Sequence, residues 1–349
     1  MLNVSFIYPQ YVKPITGGHI YEAEMIEHIK SFGDVKLDVK YLWNSKLSIF
    51  KKIFSPFKIL FYIPNLSKKD IIFFNSTKGF YFLILNLILT NIYKKKTVVI
   101  HHHFLFNEFK GFKKKIIKGV ELGFLRSAKH VLTPSPYIAD EIKRILNLDP
   151  ILCLIPFDKE KISTTSNLKI NKNTLLYVGT VDTRKGISFL IDSLIILSKK
   201  NVRPFLHIVG KIVNQELYDT IQDKIKQYNL NVVFHGFVEQ KEMIKLYKTS
   251  ELFVFPSLME GFGMSINEAM AYGLPVVCFN NSAMPYSVNN ERGRLISDKN
   301  SKEFADAIEE ILSNSDLRNS LSENALKYAQ TLPSHLDFKN KIHDTLTQL

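Results

Sequence analysis

Residues 251–277, reading ELFVFPSLMEGFGMSINEAMAYGLPVV, constrain the fold of this chain more than any other stretch. Leu252–Phe255 is a short apolar run of strand character, and Pro256 with Ser257 ends it. The loop Met259-Glu260-Gly261-Phe262-Gly263 follows, and its two glycines permit positive φ and close backbone approach. A helix is predicted over Met264–Ala271, with Ile266, Ala269 and Met270 available for packing. Gly273 stops that helix, and Pro275 prevents its renewal. Strand, glycine loop and helix in this order are the repeating unit of a parallel α/β sheet. They leave a helix N-terminus whose N–H groups are a seat for phosphate.

Two carboxylates bracket this seat, Glu260 in the loop and Glu268 in the second helical turn. A carboxylate repels phosphate, so both must face something else, and hydroxyl groups are the fitting guests. A diphosphate flanked by two polyhydroxylated rings suits the arrangement, and such a ligand is a nucleotide sugar. A second strand–loop–helix unit lies at 175–187, where Arg184 and Lys185 precede a helix predicted from Ile187. Adjacent cations at a helix N-terminus oppose the helix dipole, which makes most sense beside a bound anion.

A bare E-x7-E pattern says little. With GFG after Glu260 and EAMAYGLPVV around Glu268, it resembles the signature of the retaining glycosyltransferases of family 4, glycosyl transferases group 1. The resemblance implies the GT-B fold: two doubly wound, Rossmann-like α/β domains facing each other across a cleft. It implies a first domain over 1–157 that binds acceptor, a linker at 158–173, and a nucleotide-sugar domain over 174–333. The tail, 334–349, would cross back onto the first domain. Glu268 would then hold the ribose hydroxyls and Glu260 the hydroxyls of the donor sugar. Arg184 and Lys185, in YVGTVDTRKG, would stabilise the leaving diphosphate together with Gly261, Phe262, Gly263 and Met264. Gly179, Gly210 and Gly18 complete the expected donor contacts, with Val238 against the base. Gly17 is expected on the acceptor side. In VVIHHHF, His103 is expected to line the cleft, with His101 on the same strand face.

No Asp-x-Asp metal clamp occurs in the chain, so no metal or other cofactor is expected beyond the nucleotide-sugar co-substrate. The two cysteines, Cys153 and Cys278, lie in apolar runs without metal-ligand neighbours and read as buried thiols. The N-terminus reads as a first buried strand, not a signal peptide.

Charge is unevenly divided. Residues 1–157 hold 23 Lys and Arg against 11 Asp and Glu, so +12 of the net +13 lies there. No nucleic-acid motif accompanies it, and no nucleic-acid partner is expected. Residues 46–63 and 104–118 each interleave lysines with phenylalanines, which suits an anionic membrane surface. The expected setting is the cytoplasmic face of a bacterial inner membrane, in lipopolysaccharide, capsule or other surface polysaccharide synthesis. Two rival readings are a non-catalytic nucleotide-sugar-binding scaffold and a sugar-nucleotide epimerase of the same fold. Nucleotide-sugar turnover without acceptor would mark the epimerase.

Overall fold

The computed structural model describes residues 1–10, 17–43, 61–76, 82–161 and 171–349. The basic stretch 46–60, Thr16 and the polar run 162–170 lie outside them. The chain divides into two units: Met1–Phe157 with Pro333–Leu349, and Asp158–Leu332.

The first unit is built on a parallel sheet of β1 (Leu2–Gln10), β2 (Val35–Trp43), β3 (Ile71–Asn75), β4 (Lys96–Ile100), β5 (His130–Thr133) and β6 (Ile151–Leu152). The strand order is β2-β1-β3-β4-β5-β6. Runs such as IIFF in β3 are apolar at every position because helices cover both faces of a parallel sheet. The alternation of side chains sorts them into two cores. Val4, Phe6, Ile71, Phe73, Val98 and Ile100 share one core with Tyr21, Met25 and Ile29 of α1 (Gly17–Lys30). Ile7, Ile72, Phe74 and Val99 share the other. That second core is closed by α2 (Leu83–Asn91), α3 (Gly111–Ser127) and α4 (Pro136–Leu146).

The apolar run 151–156 reads as a strand in the sequence, but β6 takes only its first two residues. It sits at the sheet edge, paired only with β5, and the last ladder contact is Cys153 N–H donating to Thr133 O at 3.0 Å. Pro156 has no N–H with which to continue.

The second unit repeats the plan with β7 (Thr174–Val178), β8 (Phe205–Val209), β9 (Val232–Gly236), β10 (Leu252–Phe255), β11 (Val276–Phe279) and β12 (Gly293–Ile296). All are parallel, in the order β12-β11-β10-β7-β8-β9. The connecting helices are α5 (Ile187–Lys199), α6 (Gln215–Gln227), α7 (Gln240–Thr249) and α8 (Met264–Ala271). Next come α9 (Ser301–Ser313) and α10 (Ser315–Thr331). Pro333 breaks the helical text, and α11 (His335–Gln348) starts behind a capping box of Ser334 and Asp337. Phe338, Ile342 and Leu346 of α11 enter the first unit's core beside α1. No helix among the described residues is long and apolar enough to cross a membrane.

Candidate functional site

In a doubly wound sheet the loops at the carboxyl ends of the strands part where the winding direction reverses, and ligands bind there. In the second unit this point lies between β7 and β10. The chain winds outward from β7 through β8 and β9, then returns to β10 on the other side. The loops that part there are 179–186 and 256–263, and they carry Arg184, Lys185 and Glu260.

Arg184 and Lys185 lie 76 and 75 residues before Glu260 in sequence, yet both reach one oxygen of its carboxylate. Lys185 Nζ donates to Glu260 Oε1, Ser257 Oγ donates to it at 2.8 Å, and Arg184 Nη1 lies 3.5 Å away. Arg184 also donates to Met259 O at 2.8 Å. Lys185 lies 5.0 Å from the centroid of the Phe255 ring, a cation–π contact that holds the ammonium against the end of β10. Lys185 and Glu260 are 14% and 12% exposed, whereas Arg184 is 43% exposed. The pair of cations therefore finds its counter-charge in Glu260, a contact that local sequence does not reveal. Arg184 keeps most of its fork of donors turned outward.

Local backbone chemistry fixes this geometry. Asp182 caps the short turn Thr183–Lys185, its Oδ1 accepting from Lys185 N–H at 3.0 Å. Asp182 was missed as a site residue, although its spacing three before Lys185 is that of a cap. Gly186 then takes φ +68° to start α5, and a Cβ on it would lie 1.8 Å from Pro256 O. Leu258 N–H donating to Arg184 O at 2.9 Å stitches the two loops together. Gly263, at φ +79°, is the N-cap residue of α8, whose helical backbone begins at Met264 just after Gly261 and Phe262.

Glu268 lies in the second turn of α8 and accepts a hydrogen bond from Tyr247 OH at 3.1 Å. Burial, and then the Glu268 charge, push the Tyr247 phenol well above its ordinary range. It stays a donor, and it fixes the carboxylate. Tyr247 in turn stacks on Tyr272, with ring centroids 5.1 Å apart. Gly179 and Gly210 close β7 and β8: Gly179 N–H donates to Val209 O at 2.9 Å, and Gly210 N–H to Gly236 O at 2.8 Å. Val238 follows β9 next to Phe237, whose ring is 94% exposed. His235 pairs with His207 across the β8–β9 ladder at 2.8 Å.

The first unit has its own reversal point, between β1 and β3. Gly17 and Gly18 stand there, in the first turn of α1. The histidine triplet follows β4 but is not part of it. The strand ends at Ile100, so the alternation that would place His101 and His103 on one face does not reach them. His101 is fully buried, 3.0 Å from Ser76 Oγ, and burial holds its pKa well below the usual histidine range. His103 is exposed, 3.6 Å from Glu108. His102, which sequence spacing passed over, is 14% exposed and 2.7 Å from the buried Glu22.

One group among the described residues has metal-like spacing: Glu24, His28 and His335, with ligand atoms all within 4.8 Å of one another. Glu24 is already paired with His335, and together they tie α11 to α1. Both cysteines are buried free thiols, and burial pushes Cys153 up to about 11.

Residues 158–328 match the family model described as glycosyl transferases group 1, to which the second unit is therefore related. The capsular polysaccharide biosynthesis glycosyltransferase CapM of Staphylococcus aureus is 30% identical over 172 residues, covering 49% of this chain and 45% of that protein. The O-antigen chain mannosyltransferase B of Escherichia coli is 27% identical over 198 residues, covering 50% and 49%. The chain spans about half the length of the curated relatives it matches. A crystal structure of Anabaena HepE in complex with UDP and glucose is similar over 100% of both chains, with a TM-score of 0.77 at 20% identity. That likeness shows the fold, two Rossmann-like α/β domains of the GT-B type.

Proposed function

We propose that the chain is a retaining glycosyltransferase. It moves a sugar from a UDP- or GDP-sugar to a hydroxyl of a glycan or lipid-linked acceptor in surface polysaccharide synthesis. The observation that carries this reading is the meeting of Arg184, Lys185 and Glu260 at the reversal point of the second sheet. As the glycosidic bond to the diphosphate breaks, negative charge develops on the leaving phosphate. Cations and helix amides already gathered at this point stabilise it. In this reading the diphosphate competes for Lys185 and Arg184, and Glu260 turns to the donor-sugar hydroxyls. Glu268, held by Tyr247, takes the ribose hydroxyls. The match to glycosyl transferases group 1 and the capsule and O-antigen relatives support the same assignment.

The test is a panel of UDP- and GDP-sugars, with and without lipid-linked or oligosaccharide acceptors, read as release of nucleoside diphosphate. At least one donor should be turned over faster with acceptor, and the product's anomeric proton coupling should report an α-linkage from an α-donor. Conversion of one nucleotide sugar into another without acceptor and without release of nucleoside diphosphate would favour the epimerase. Binding without any turnover would favour the scaffold.

We further propose that the first unit docks on an anionic membrane. On α3, Phe112 is 77% and Ile116 52% exposed, among the exposed Lys113 and Lys115. Ile84 and Leu87 on the neighbouring α2, and Phe61, are also exposed. Apolar side chains among lysines suit an interfacial surface, each near-surface lysine contributing about 1 kcal/mol that salt screens. Lys113→Glu, Lys114→Glu and Lys115→Glu together should abolish cosedimentation with phosphatidylserine vesicles while leaving donor hydrolysis intact. Equal binding to neutral vesicles, or unchanged binding of the triple variant, would sink this proposal.

A further inference from the structure

The first unit holds a polar cluster that the family match, confined to residues 158–328, does not touch. Glu22 sits in the second turn of α1 and is 1% exposed, a carboxylate taken almost wholly out of water. Its Oε1 accepts from Asn75 Nδ2 at 2.5 Å, at the carboxyl end of β3, and lies 2.7 Å from His102 Nε2, just past β4. Tyr8, from β1, adjoins the same group, and burial followed by the Glu22 charge pushes its phenol far up. One carboxylate thus gathers side chains from β1, β3 and the end of β4, at the point where the sheet's winding reverses.

A buried carboxylate without strong polar partners is costly, so a chain keeps one where it orients something. Here the oriented group is His102. An ionised carboxylate only accepts, so a neutral imidazole facing it carries its proton on Nε2 and keeps its lone pair on Nδ1. The ring is held from other sides as well. It lies edge-on to Tyr21, with centroids 5.7 Å apart, and so close to Gly18 that a Cβ there would come within 3.4 Å of Nδ1. The segment beyond the triplet is pinned by Glu121, which accepts from Leu105 N–H at 2.9 Å and Phe106 N–H at 3.1 Å.

We propose that Glu22 is a positioning residue, fixing His102 in the Nε2–H form so that Nδ1 accepts a hydrogen bond from a sugar hydroxyl. The role rests on the glycosyltransferase reading above, but the tautomer does not. The hydroxyl belongs either to the donor sugar or to the acceptor glycan, and kinetics tells them apart.

The experiment is long-range ¹H–¹⁵N correlation on ¹⁵N-histidine-labelled full-length protein, with His102→Gln used for assignment. The wild type should show His102 protonated on Nε2 alone at neutral pH. A ring protonated on Nδ1, or on both nitrogens, overturns the proposal whether or not any substrate is found. Glu22→Gln, which keeps shape and removes charge, should mix the tautomers and lower kcat/KM by on the order of 10- to 100-fold, the size expected of a misaligned group. The loss should fall on donor KM in acceptor-free hydrolysis if the donor sugar is the guest. It should fall only on acceptor KM in full transfer if the acceptor is. An unchanged tautomer and unchanged kinetics in a folded Glu22→Gln protein would also overturn it. A wild type inert to every nucleotide sugar, but with the expected tautomer, would refute the enzymatic reading and leave the positioning role of Glu22 standing.

Discussion

Replacing Lys185 by alanine is expected to lower turnover by roughly 10²- to 10³-fold, the effect of removing one donor aimed at developing negative charge. Its ammonium is held between Glu260 and the Phe255 ring, where little water competes for it. The same change leaves Glu260 with Ser257 at 2.8 Å and the distant Arg184 at 3.5 Å, so part of the effect is local destabilisation. A double variant separates the two. Lys185→Ala with Glu260→Gln removes the uncompensated charge, and it should recover melting temperature while turnover stays low. Single-turnover rates and thermal melts on wild type, both single variants and the double variant provide the measurement. Near-normal turnover in Lys185→Ala would remove it from the machinery.

The second large effect is on folding. Gly186→Ala places a Cβ 1.8 Å from Pro256 O and 2.9 Å from its carbonyl carbon, at φ +68°. Both obstructing atoms are backbone, so no side chain can swing aside. The left-handed backbone costs about 1–2 kcal/mol and overpacking about 1–3 kcal/mol, giving roughly 2–5 kcal/mol in all. For a unit of this size that lowers the melting temperature by about 2–4 °C per kcal/mol. Gly119→Ala is the control, because a Cβ at that helical position meets nothing within 4 Å. It should stabilise by about 0.5–1 kcal/mol. Equal melting temperatures for the two variants would mean that the loops are not stitched together as described.

The second unit was readable in the sequence wherever local chemistry decides structure. Leu252–Phe255 and Met264–Ala271 came out as predicted because Pro256, Gly263 and Gly273 punctuate them. Ser301–Ser313 is legible in the same way, because Asn300 caps it and its apolar residues repeat at helical spacing. What could not be read are contacts made by the winding of the sheet. Nothing near Glu260 in sequence says that Lys185 will neutralise it. Nothing near Glu22 says that a histidine 80 residues on will be its partner. The alternation rule for the histidine triplet failed for a related reason: it holds only while the ladder lasts, and the ladder ends at Ile100.

The placement of α11 has a consequence for how the protein is made. Phe338, Ile342 and Leu346 belong to the first unit's core, yet they are synthesised after the whole of Asp158–Leu332. The second unit is continuous and can condense as soon as it leaves the ribosome. At elongation rates of about 5–20 residues per second, the first must wait roughly 10–35 s with the core on the α1 side of its sheet incomplete. During that interval Tyr21, Met25 and Ile29 lack their last neighbours, so the half of the chain made first is the half completed last.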